Sequence, residues 1–302
     1  MNPVKLTCLG LAMAGTLIAG AAHAVDVASS PTLSKVKSSG TMAIGHRTSS
    51  IPFSYYDSNQ KVIGFSQDLC DRVVNEVKKQ TGVPSLQVRM VPVTSQNRMS
   101  LVQNGTVDLE CGVTTNLKSR QEQVAFSTTF FVAGTRLLVK KGSPVHDFSD
   151  LSGKAVVTNA GTTSERILRR LNDEKHADIT IQSAKDYGES FLILQSGRVA
   201  AFMMDDVLLS GARTLAPNPA EWVVVGTPQS FEAYGFMMRK DDPAFKQLVD
   251  GVLTGLMKSG EINTLYDKWF LKPVPPKNIN FEFPMSEPVK KAYANPNDQA
   301  FE

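Results

Sequence analysis

The chain has 302 residues, with 32 Lys and Arg against 29 Asp and Glu, a formal charge of +3. That near-neutral balance, with no basic run, argues against nucleic acid or an anionic membrane surface as partner. Any positive charge that matters has to be local.

Residues 1–24 read as an export leader: Lys5 is the one charge, 6–22 is an apolar and small-residue core, and Ala22-His23-Ala24 has the small-x-small form of a signal-peptidase site. Cleavage is expected after Ala24. The apolar run is short for a membrane anchor of about 20 residues, and Cys8 lies too early for a lipid-attachment site. No later stretch is long and apolar enough to span a bilayer. The remaining chain is longer than one hydrophobic core usually serves, so two lobes are expected.

Beyond the leader, a short helix ends at Gly40 and residues 41–46 read as a strand. Residues 66–79 read as a helix, with Leu69, Val73 and Val77 spaced by four on one face. Residues 86–93 alternate apolar and polar as a strand, and Thr94 or Ser95 can cap the helix after it. Residues 107–111 and 135–140 are further strands. A second run of the same kind begins at Leu151. It has strands at 155–159, 179–183, 199–204 and 222–225, and helices at 164–171, 190–196 and 207–215. A strand at 234–239 and helices at 243–258 and 262–270 come next, and the proline-bearing end from Lys272 reads as a surface strap. Alternating βα units predict an α/β fold of open, mostly parallel sheets with helices on both faces.

Cys70 and Cys111 are the cysteines outside the leader. An even pair in an oxidising compartment suggests a disulfide. The other reading is two buried thiols packed as small hydrophobes. His46, His146 and His176 are scattered without metal-ligand spacing, so no metal or other cofactor is expected. Nothing resembles a nucleophile elbow, a P-loop or a dinucleotide motif.

Open α/β sheets bind ligands beyond the carboxyl ends of their strands, and polar residues collect at such ends here. Arg47 follows strand 41–46; Thr94, Ser95 and Arg98 follow 86–93; Thr114, Thr115 and Arg120 follow 107–111. Gly161, Thr162 and Thr163 follow 155–159, and Asp205 follows 199–204. The guanidinium group is a planar fork of donors that matches a carboxylate. The turn 161–165 opens a helix, whose unpaired N–H groups and dipole favour an anion. Thr162 with Glu165 also fits a capping box, so its hydroxyl has a local use as well. Phe53, Tyr55 and Tyr56 either wall the pocket or pack in the core.

The stretch 94–120, with its Ser-Gln-Asn-Arg segment, Asn-Gly turn and Thr-Thr loop ending in Arg120, resembles the extracellular solute-binding proteins, family 3, of amino-acid uptake systems. Within them it is most similar to the branch that binds glutamate and aspartate, and the likeness runs over residues 33–285. The resemblance implies a type II periplasmic-binding-protein fold of two lobes joined by two hinge crossovers. Lobe 1 would be discontinuous, residues 30–137 and 234–302, and lobe 2 residues 138–233. By the same resemblance Arg120, Thr115, Thr162 and Thr163 hold the ligand's α-carboxylate and Asp205 its ammonium. Arg47 and Arg98, with Ser95 beside them, hold the side-chain carboxylate. Three arginines against one aspartate give an excess of the sign that an acidic amino acid needs. This chain has Val113 where relatives commonly have a serine and Tyr187 where they commonly have a histidine, which leaves the choice between the two acids and their amides open. The backbone carbonyl of Val113 can still accept from an ammonium, and Tyr187 keeps a donor.

The resemblance thus implies a periplasmic, monomeric capture protein that hands L-glutamate or L-aspartate to an ABC permease. Two alternatives share the scaffold: an enzyme of dehydratase or lytic type, with Asp205 or Glu110 as acid or base, and a ligand-presenting partner of a sensor.

Overall fold

A computed structural model describes residues 25–300; the leader and its cleavage site lie outside the described residues. In chain order the elements are helix α1 (Pro31–Ser39), strands β1 (Thr41–His46), β2 (Ser49–Ser50), β3 (Ser54–Tyr56) and β4 (Val62–Ile63), helix α2 (Phe65–Thr81), strand β5 (Gln87–Pro92), helix α3 (Arg98–Gln103), strand β6 (Leu109–Thr115), helix α4 (Lys118–Gln121), and strands β7 (Ala125–Phe126) and β8 (Phe131–Lys140). Next come β9 (Ala155–Asn159), α5 (Thr163–Lys175), β10 (Thr180–Ala184), α6 (Tyr187–Gln195), β11 (Ala201–Asp205), α7 (Asp206–Ala212), β12 (Trp222–Val225) and β13 (Phe231–Met238). Helices α8 (Pro243–Ser259), α9 (Glu261–Phe270) and α10 (Glu287–Ala294) close the chain.

The main sheet runs β10-β9-β11-β8-β13-β6-β1-β5. Its two ends are parallel: β1 with β5 and β6 in the first half, β9 with β10 and β11 in the second. Two antiparallel strands join them. Residues 131–134 of β8 pair with 231–234 of β13, after which β8 continues at 135–138 against β11, and β13 turns to β6. The long strands β8 and β13 are thus the shared members of both halves. Helices α2, α8 and α9 pack on the first half, and α5 and α6 on the second.

Helix boundaries follow local chemistry. Ser30 caps α1 by accepting from Leu33 N–H, and Gly40 ends it in the left-handed conformation that suits glycine. Leu69, Val73 and Val77 are buried as the spacing required, and Cys70 on the same helix is bonded to Cys111 on β6, with a Cα–Cα distance of 6.0 Å. The disulfide is the reading that holds.

Three expectations need correction. Strand β6 does not end at Cys111 but continues through Thr114 and Thr115, because β13 pairs with it there, Tyr234 opposite Thr115. Neither Thr94 nor Ser95 caps α3: the helix starts at Arg98, and Thr94 instead exchanges bonds with Asn97. The end is more than a strap, since it contains α10, and it is firmly held. Phe281 and Val289 are buried, Tyr55 Oη donates to Pro275 O (2.7 Å), and Tyr293 Oη donates to Phe130 O (3.0 Å). Phe53 belongs to the core, edge-on to Phe65, Phe131, Tyr234 and Phe270. Tyr55 is buried against the strap, and Tyr56 packs on His46.

Candidate functional site

Strand ends from the two halves meet at one place. The turn at Gly161 sits on residues 95–96: a Cβ at Gly161 would stand 2.9 Å from Ser95 O and 3.0 Å from Gln96 Cα, and its φ of +78° suits glycine as well. This close approach brings the 161–163 turn of the second half onto the Ser95 loop of the first.

Arg47 leaves β1 into a buried position. Its guanidinium carbon lies 5.1 Å above the ring of Tyr187, the first residue of α6, and its Nη1 is buried without a hydrogen-bond partner. A buried guanidinium N–H left unpaired costs more than an ordinary lost bond, so the site wants an acceptor there. Ser95 Oγ is buried and unpartnered too. Arg98 opens α3 and donates to Val113 O at 3.2 Å, which spends that carbonyl at least in part on the arginine. Arg120, on α4, donates to Thr115 O (2.9 Å) and across to Gly161 O (3.4 Å).

At the other end, Asp205 closes β11. Its carboxylate does not cap α7; it accepts from Thr135 Oγ1 at 3.3 Å and from Tyr234 Oη. Asp206 is held by local backbone, accepting from Gly134 N–H and Val207 N–H, so it does not replace its neighbour. Thr163 Oγ1 and Thr115 Oγ1 both donate to one oxygen of Glu232, at 2.7 and 2.6 Å. Thr162, by contrast, works on its own helix. It caps α5 by accepting from Glu165 N–H (3.2 Å) and donates to Asn159 O (2.7 Å). The reciprocal arm of the expected capping box goes elsewhere, because Glu165 accepts from Gly161 N–H.

Two more carboxylates stand here outside the expected ligand set, Glu110 having entered only as an acid or base of the enzyme alternative. Glu232 lies on β13 and Glu110 on β6, both buried, and Glu110 accepts from Thr114 Oγ1 at 2.9 Å. They undo the charge count, since three arginines now face Asp205, Glu232 and Glu110. What replaces the count is like-charge crowding that the carboxylates offset only in part. Burial pushes Arg98 below its ordinary value; Glu110 opposes this and Arg47 adds to it. Burial, with Arg98 next among the groups that add to it, brings Arg120 down to about 9, so it remains a cation at neutral pH. Burial and then Glu232 push Asp205 well above the usual carboxylate range, against the pull of its bonds from Tyr234 and Thr135. The three guanidinium groups press on one another with Glu110 set among them, while Asp205 and Glu232 press on each other. A molecule with carboxylates at one end and an ammonium at the other relieves both.

Residues 42–272 match the family model described as bacterial extracellular solute-binding proteins, family 3. Over 298 residues the chain is 53% identical to the glutamate/aspartate import solute-binding protein of Salmonella typhimurium, covering 98% of each chain. It is 57% identical over 272 residues to the L-glutamate/L-aspartate-binding protein of Pseudomonas aeruginosa, covering 90% of each. Among solved structures, the ancestral amino-acid-binding protein AncCDT-1, a precursor of cyclohexadienyl dehydratase, superposes with a TM-score of 0.69 at 29% identity, over 79% of this chain and 99% of that one.

Proposed function

The chain belongs to the bacterial extracellular solute-binding proteins, family 3, and from that premise we propose that it captures L-glutamate and L-aspartate between its two lobes for an ABC amino-acid importer. The observation that carries the ligand class is that Arg47 Nη1 and Ser95 Oγ are both buried without a partner. A carboxylate side chain supplies an acceptor whose charge matches the guanidinium groups, and near-full-length relatives bearing that ligand's name support the reading.

The ligand's side-chain carboxylate lies against Arg47, Arg98 and Ser95. Its α-carboxylate takes Arg120 and the start of α5 at Thr163, where the helix dipole adds to the attraction. Its ammonium faces Asp205, with Glu232 behind it. Tyr187 carries Arg47 on its ring face, a cation–π contact. Lobe 1 is residues 30–137 and 234–302 and lobe 2 residues 138–233, with the crossings on β8 and β13. Arg47, Arg98 and Arg120 stand on lobe 1, Tyr187, Thr163 and Asp205 on lobe 2. A ligand touching both sets stabilises the closed form by its differential contacts. The protein acts in the periplasm as a monomer, after removal of the leader at Ala24.

Relatives of this likeness are solute-binding proteins, and the dehydratase connection belongs to the ancestor of a more distant chain. Calorimetric titration of the mature protein, stripped by unfolding and refolding, against Glu, Asp, Gln and Asn tests the proposal. One-to-one micromolar binding of an acid, with much weaker binding of its amide, is expected. Equal binding of acids and amides overturns the acidic assignment, and conversion of the ligand overturns the binder.

A further inference from the structure

Away from the charged cluster, the end of α7 and the turn after it are gripped by two parts of the first half. Gly211 lies inside α7, where a Cβ would stand 2.0 Å from Ile51 O and 2.8 Å from Ile51 C. Side-chain carbons do not approach a carbonyl oxygen closer than 3.0 Å, so only glycine admits this contact. Ile51 sits in the turn between β2 and β3, four residues beyond Arg47. One turn further on, Lys277 Nζ donates to the carbonyl oxygens of Thr214 (2.8 Å), Leu215 (3.2 Å) and Ala216 (3.1 Å). An ammonium has three donors, and three backbone acceptors meet it. Lys277 is carried on a segment closed on itself by the Val274–Ile279 bridge and tied to the first half where Pro275 O accepts from Tyr55 Oη.

We propose that residues 211–216 form a closing latch that fixes how far the lobes shut and raises affinity for every ligand by one common factor. The proposal rests on the two-lobe capture reading above. Neither Gly211 nor Lys277 belongs to the ligand's charged cluster. Contacts made only when the lobes meet raise the closed population, and apparent affinity scales with that population. A latch of this kind sets the strength of binding and leaves the preference between ligands alone. A methyl group at Gly211 holds the Ile51 turn off α7 by about 1 Å or more, the gap between the present approach and contact distance. Alanine also suits a helix interior better than glycine does, so once α7 and the Ile51 turn part, nothing within α7 opposes it.

The test uses the mature, ligand-stripped chain as wild type, Gly211→Ala and Lys277→Met. Titrations with Glu and Asp are paired with ligand-free melting temperatures. Spin labels on the outer faces of α2 and α5 report the distance between lobes. Gly211→Ala is expected to weaken both acids about tenfold or more, and Lys277→Met about threefold or more, with the Glu-to-Asp ratio within about twofold of wild type. The ligand-free melting temperature of Gly211→Ala should not fall. An affinity for Gly211→Ala within about twofold of wild type, a changed ratio, or an unchanged lobe distance overturns the latch. If the wild type binds neither acid, the capture proposal fails by itself. The latch is then judged on the ligand-free distances: loss of the short distance in Gly211→Ala supports it and an identical distribution overturns it.

Discussion

The two halves of this molecule share a βα plan and differ in how they are filled. The first half is packed with aromatic rings. Phe131 lies against Phe53, Tyr234, Tyr266 and Phe270, with centroids 4.9 to 6.1 Å apart, and the Cys70–Cys111 bond ties α2 to β6 beside them. The second half has an aliphatic group of Leu137, Val139, Val156, Ile167, Leu168 and Met203 on one side, and fewer rings on the other, with Phe202 buried and Phe191 edge-on to Trp222 at 5.2 Å. The arginines stand on the first half and the hydroxyl turn, Tyr187 and Asp205 on the second. Long, charged side chains lose much freedom when ordered, so they are best held by the stiffer body. The second half contributes mostly shorter groups, Thr163 and Asp205, that need less ordering. The comparison assigns ligand identity to the first half and closure to the second.

The largest test removes the covalent tie of the first half. The loop between Cys70 and Cys111 spans 41 residues, and closing such a loop restrains the unfolded chain by about 4 kcal/mol. Reduction is expected to lower the denaturant midpoint accordingly. Amide exchange should quicken across α2 and β6 and stay slow in α5 and α6. Equal quickening in both halves would mean that they unfold as one body and that the contrast in filling has no energetic counterpart.

Next in size is Arg120→Ala. Removing one member of a buried charged contact costs about 2–5 kcal/mol. Binding of Glu, Asp, Gln and Asn should all fall about a hundredfold or more by calorimetry, because each carries the α-carboxylate. A variant that keeps wild-type affinity for any of the four removes Arg120 from that role.

Arg47→Met sharpens the comparison further, since its partner in the second half is Tyr187. Loss of the charge should weaken the acids about thirtyfold, or about 2 kcal/mol, and the amides by no more than about threefold. Parallel losses across acids and amides would move Arg47 from ligand recognition to packing on Tyr187.

The cation end of the site was legible in the sequence and the anion end only half so. Arg47, Arg98 and Arg120 follow segments whose apolar pattern marks them as strands, and strand ends are where open sheets bind. Asp205 could be found by the same rule. Glu232 could not, because it looks like the polar member of an ordinary alternation, and Glu110 entered only as an acid or base of the enzyme alternative. Their burial comes from β13 settling against both β6 and β8, a pairing between segments far apart in the chain. The same pairing draws Thr114 and Thr115 into β6. Helix α10 did leave signals, with Ser286 at its cap, Pro288 in its first turn, and Val289 and Tyr293 spaced by four and buried. The prolines before it masked them.

Thr162→Ala is the smallest test and the one that most directly separates local from ligand chemistry in the second half. Both bonds of the Thr162 hydroxyl are internal, one to Glu165 N–H and one to Asn159 O, whereas Thr163 reaches out to Glu232. Losing an N-cap costs about 1 kcal/mol, so thermal unfolding of the ligand-free variant should shift by a few degrees at most. Affinity should stay within about threefold, and that loss should be shared by Glu and Asp because it reflects a looser α5 rather than a missing contact. A loss of tenfold or more with unchanged unfolding would place the hydroxyl on the ligand, adding it to Thr163 and Asp205 among the second half's contacts. Thr163→Ala then serves as the control, because its hydroxyl is the one the fold directs across to Glu232.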